Sequence, residues 1–172
     1  MKKIIFALLI STWLAGCSNQ MGLDPVTSVS KFDGQTTVSI QPHGTDCCMS
    51  IGAVWGDKIP DMVVLELTIY AQYMNLAKAE LNIDNRIIEL KPVGSMTDFR
   101  QMFPGGSVDM PTSTRGFAIS LSDLRSVILA QTSMIRLTTL SNGAIIGTIK
   151  DGQKDTAAYY ALQRFIAKLP QQ

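Results

Sequence analysis

The chain is expected to fold as an α+β domain, an antiparallel sheet (a meander plus a C-terminal hairpin) with two helices packed on one face. Three observations predict this. Alternating apolar and polar residues fill most of the stretch from residue 63 to residue 91. An Asn-Gly pair separates two further alternating runs near the C-terminus, and residues 154–169 repeat apolar side chains at helical spacing. Strands followed by a strand, a helix, a hairpin and a helix bury their apolar faces together when the helices lie on one side of an antiparallel sheet.

Taken in order, residues 36–40 and 49–55 predict two short strands with a turn at Pro42, His43, Gly44 and Asp46 between them. Gly56, Asp57 and Pro60 break the chain again. Val63, Leu65, Leu67, Ile69, Ala71 and Tyr73 form one face of the longest strand, and Ala77, Ala79, Leu81 and Ile83 alternate in the same way. Asp84-Asn85 then reads as a tight turn into residues 86–91, with Ile88 and Leu90 inward. Residues 92–114 interrupt the meander as a long connection, with a short helix across residues 95–103 capped by Ser95 or Thr97. Residues 115–121 resume as a strand with Phe117, Ile119 and Leu121 on one face. Ser122-Asp123 opens a helix with the stripe Leu124, Val127, Ile128 and Gln131. Residues 134–140 and 144–150 flank Ser141-Asn142-Gly143 as a hairpin, and Ala158, Ala161, Leu162, Phe165, Ile166 and Leu169 mark the closing helix.

The first residues have a different logic. Lys2 and Lys3 precede an apolar run, residues 4–14, broken only by Ser11 and Thr12, and no acidic residue occurs before Asp24. A positive start and an apolar run too short to span a bilayer describe a secretory signal peptide. Leu14-Ala15-Gly16-Cys17 at its end resembles the lipobox of bacterial lipoproteins. The resemblance implies cleavage before Cys17, a diacylglycerol thioether on its sulfur and acylation of the new amino terminus. Each buried methylene contributes about 0.8 kcal/mol, so one acyl chain holds a protein marginally and two or more hold it durably. Ser18 stands where an inner-membrane retention signal has aspartate, which implies the outer membrane, facing the periplasm. The expected organisation is a signal peptide over residues 1–16, the lipidated cysteine and a flexible tether over 17–35, and a single globular domain over 36–172.

Charge narrows the partners. The chain has 15 Lys and Arg against 14 Asp and Glu; without Lys2 and Lys3 the formal balance is −1. No nucleic acid and no polybasic membrane patch is implied, and the membrane is reached through the lipid on Cys17. No P-loop, no GxGxxG and no paired catalytic motif occurs, so no cofactor is expected and a non-catalytic protein is favoured over an enzyme.

Two segments attract functional readings. Met96, Phe99, Met102, Phe103 and Met110 supply adaptable apolar surface within the long connection, suited to binding another envelope protein in assembly, secretion or surface maintenance, or to covering the core as a flap. His43, Cys47 and Cys48 are candidates for a soft-metal or thiol-redox site, with no CxxC and no second histidine to complete a ligand set. The two adjacent cysteines have three fates in an oxidising compartment: a vicinal disulfide, reduced thiols in a core, or pairing between molecules. A hydrolase with an unrecognised site is a further alternative, and it requires a pocket lined with perturbed carboxylates.

Replacing the acylated sulfur isolates the anchoring reading. Cys17→Ser is expected to move the protein from the membrane fraction to the soluble one; retention in membranes would mean that lipid is not what holds it.

Overall fold

Alternation, far more than helical spacing, decides how this chain folds. The computed structural model describes residues 22–102, 110–141 and 143–170. The described elements are β1 (Val26–Val29), β2 (Thr36–Gly44), β3 (Met49–Gly56), β4 (Met62–Tyr70), β5 (Leu76–Ile83), β6 (Arg86–Met102), β7 (Met110–Ser120), α1 (Leu121–Leu129), β8 (Ser133–Thr139), β9 (Ala144–Lys150) and α2 (Ala157–Lys168). They form a nine-stranded sheet in the order β1-β2-β3-β4-β7-β6-β5-β8-β9, antiparallel at each junction. Strand covers 57% of the described residues and helix 15%. The α+β expectation is therefore overturned: the fold is an open, mostly β sheet with two short helices.

The largest departure lies in residues 92–114. Instead of a connection with a short helix, β6 continues through residue 102 and pairs with β7 from Met102↔Met110 to Lys91↔Ala118. Period-two reading failed here for a physical reason. The register shifts between Val93 and Asp98, where Gly94 sits at φ +76°, so the alternation of faces is broken inside one strand. Most side chains from Lys91 to Gln101 are also exposed, and an unburied strand leaves no apolar stripe to read.

Two smaller corrections have similar causes. β1 lies inside the segment expected to be a flexible tether, and all four of its residues are exposed, so only backbone pairing with β2 defines it. β2 runs on to Gly44, through the expected turn at Pro42 and His43. A bulge between Ile40 and His43 absorbs the proline, which has no N–H to give to a ladder. Elsewhere the predicted turns stand where expected. Asp84 and Asn85 both adopt positive φ (46° and 70°), as the β5–β6 hairpin requires, and Gly143 does so (77°) at the β8–β9 turn.

The inner face of the sheet holds the core: Val38, Ile40, Ile51, Ala53, Leu65, Leu67, Leu81, Phe117, Ile119, Ile135 and Leu137 are all buried. Both helices pack against this cluster. Ser120 caps α1, its hydroxyl accepting the Asp123 N–H at 3.0 Å, and buries Leu121, Leu124 and Val127. Thr156 caps α2, which buries Ala158, Tyr159, Ala161, Leu162 and Phe165. α2 packs on β2 and β3 and also touches β9, so it bridges the two ends of the curled sheet.

A crossover completes the architecture. β4 ends at Tyr70, Ala71 turns at φ +64°, and residues 71–75 pass across β7 and β6 to reach β5. Such a segment has backbone groups with no ladder partner, and polar side chains supply them. The Ser113 hydroxyl, fully buried, donates to the Gln72 carbonyl at 3.1 Å and accepts the Met74 N–H at 2.8 Å. Thr97 accepts the Leu76 N–H at 2.9 Å, and the Arg115 guanidinium donates to the Leu76 carbonyl. Removing one buried partner leaves two backbone groups unsatisfied. Ser113→Ala is expected to destabilise the fold by about 1–3 kcal/mol, read as a lower Tm; an unchanged Tm would show that the crossover is held by other means.

Candidate functional site at the anchor end of the sheet

Antiparallel pairing sorts the loops onto two ends. Gly22 to Pro25, residues 45–48, the crossover at 71–75, the end of β6 at Met102 with the start of β7 at Met110, and Leu140 share one end. This is the end at which the chain arrives from Cys17. Phe32, Ile59, the Asp84-Asn85 turn and the start of α1 share the other.

At the anchor end the first described residues are tied to the rest of the fold. Leu23 is buried, the Gly22 carbonyl lies 3.2 Å from His43 Nε2, and Asp24 pairs with Arg164 of α2 at 2.7 Å. His43 is thus occupied with the backbone of the entering chain. Cys47 and Cys48 are exposed and joined to each other as a disulfide, with Cys48 at φ +31°. Their sulfurs are bonded to each other and are not thiolate ligands, and no group of three or more His, Cys, Asp or Glu side chains among the described residues converges as a metal-binding set. Exposed disulfide sulfur remains open to attack by a thiolate, which would form a mixed disulfide and release the second cysteine.

The turn carrying this disulfide is firmly built. Thr45 donates its N–H to the Met49 carbonyl at 3.0 Å, and its hydroxyl reaches the Cys47 carbonyl at 2.8 Å. Asp46 then ties the turn to the far edge of the sheet: its carboxylate accepts the Thr148 N–H at 2.6 Å, and its own N–H points to the Thr148 carbonyl at 3.4 Å. Gly147 permits that approach, since a Cβ there would come within 2.6 Å of Thr45 Oγ1.

Of the five side chains predicted to bind a partner, Met96 is 80% exposed and Phe99 46% exposed on β6. Met110 opens β7 half-buried; Met102 closes β6 by its backbone, and Phe103 lies outside the described residues. Phe99 meets Tyr73 of the crossover edge-on, with ring centroids 5.8 Å apart, and Val93 is exposed on the same strand. Sequence reading placed Tyr73 in a strand. Its true position depends on Ala71 adopting positive φ, a choice that alanine does not announce.

Displaced protonation equilibria have structural causes. The N–H groups of Thr132 and Gln131 hold the Asp84 carboxyl below its usual range, and those of Lys154 and Gln153 do the same for Asp151. Glu80, which lines a shallow groove with Ile87, Met134 and Ile146 on the outer face, is lowered chiefly by Arg136 at 2.7 Å. A carboxylate so paired stays ionised, opposite to the raised pKa of a general acid.

No described helix is long and apolar enough to cross a membrane. Neither the curated proteins nor the solved structures contain a match to this chain. The family profile of the prokaryotic membrane lipoprotein lipid attachment site does match, over residues 1–18, which contain the Leu14-Ala15-Gly16-Cys17 box. The protein is a bacterial lipoprotein, lipid-anchored in the cell envelope through Cys17.

Proposed function

We propose that the domain is a non-catalytic binding module that holds another envelope protein, serving assembly, secretion or maintenance of the envelope from the periplasmic face of the outer membrane. The observation that carries this reading is the exposed Tyr73–Phe99 pair, with Met96 also exposed three residues before Phe99 on β6. Partner affinity concentrates in aromatic and adaptable apolar side chains that are already positioned before binding. Here the positioning is visible: Ser113 and Thr97 fix the crossover backbone on either side of Met74, and Phe99 sits on a strand paired with β7 through Ser113. Association therefore orders few groups that the fold has not already ordered. Met96 adds an unbranched side chain that can conform to an irregular surface.

A photo-crosslinking amino acid at Met96, in intact cells, tests the reading. A discrete protein adduct is expected, and Phe99→Ala should reduce it about tenfold, the loss typical of an interface anchor. No adduct, or one indifferent to Phe99→Ala, would contradict a partner site on this hairpin.

A further inference from the structure

The anchor and the fold together restrict how the domain sits on its membrane. Cys17 and Gly22 are separated by five residue steps. An extended chain spans at most about 3.6 Å per residue, so the first described residue lies no more than about 18 Å from the acylated cysteine. Just after it the chain is held to the fold, because Leu23 is buried and Asp24 is paired with Arg164. β4 has nine residues and at about 3.3 Å per residue runs about 30 Å between the two ends of the sheet. With the domain inverted, Gly22 would stand a full strand length above the bilayer, beyond the reach of its own tether.

Chemistry at this end agrees with that restriction. Tyr73 is 57% exposed, Phe99 46% and Leu140 75%, all around the end at which Gly22 enters. The Leu140 N–H donates to the Asn75 carbonyl at 3.0 Å, which joins the β8–β9 turn to the crossover. Lys168, exposed in the last turn of α2, lies at the same end with Asp24 and Pro25. An exposed leucine and a lysine partition to a lipid–water interface, where the apolar stem buries while the ammonium stays wet.

We infer that the anchor end of the sheet rests on the bilayer that holds Cys17, with Leu140 in the interfacial layer. Lipid is the occupant of the Leu140 side of this end, apart from the Tyr73–Phe99 pair. The 45–48 turn with its disulfide then faces the headgroups, and the Asp84-Asn85 end points away from the membrane. This orientation follows from the anchor alone and stands whether or not the hairpin binds a partner.

The lipidated mature chain permits a direct test. Trp13 leaves with the signal peptide, and the remaining Trp55 is 5% exposed within the core. Leu140→Trp and Phe32→Trp each place one new indole on an exposed site, at the anchor end and the opposite end respectively. Each variant is reconstituted into phosphatidylcholine–phosphatidylglycerol vesicles with acyl chains brominated close to the headgroup. The indole of Leu140→Trp is expected to lose most of its emission, while that of Phe32→Trp is unchanged. Equal quenching of both, quenching of Phe32→Trp alone, or quenching of neither would overturn the orientation.

Discussion

A sheet of nine antiparallel strands has two edges and an apolar inner face, and it is stable in water only if that face is covered. Curling brings the strands round so that much of the inner face covers itself, yet β2 and β9 do not pair with each other. α2 fills the seam. Phe165, Leu162, Ala161 and Ala158 are fully buried among residues from β2, β3 and β9, and Thr156 at its start accepts nothing from β9 but donates to it, N–H and hydroxyl both reaching the Ile149 carbonyl at 3.2 and 2.8 Å. Beside the start of α2, Asp46 spans the seam to Thr148. One helix and one aspartate therefore convert an open sheet into a single core.

This arrangement explains where functional surface can arise. The inner face is consumed by the helices, while the crossover of residues 71–75 covers the anchor end of the core. Its backbone is satisfied by buried hydroxyls, so its one large aromatic side chain, Tyr73, is free to face outward against Phe99. The same end receives the chain from the lipidated cysteine. Anchoring, the exposed aromatic pair and the disulfide turn thus share one end because antiparallel topology places alternate loops together, and no single residue dictates it.

What the sequence disclosed followed burial. β3, β4, β5 and both helices were legible because their buried side chains repeat at periods of two or 3.6, as Leu65, Leu67 and Ile69 or Leu162, Phe165 and Leu169 show. The turns at Asp84-Asn85 and Gly143 were legible because positive φ selects their residue types. β1 and the outer half of β6 were not, since they are held by backbone hydrogen bonds and present exposed side chains whose identity the pairing does not constrain. That hidden strand changed the class of the fold. The Met96 and Phe99 surface was visible as composition, and its aromatic partner Tyr73 was not, because a crossover pinned by Ser113 and Thr97 is a long-range fact.

The central claim is that α2 holds the two ends of the sheet as one cooperative unit, and hydrogen exchange on Phe165→Ala tests it most directly. Removing this fully buried ring should cost about 3–5 kcal/mol. The account predicts that amides of β2 and β9, on opposite sides of the seam, lose protection together and by similar factors. Loss confined to α2, with both strands as protected as before, would contradict it.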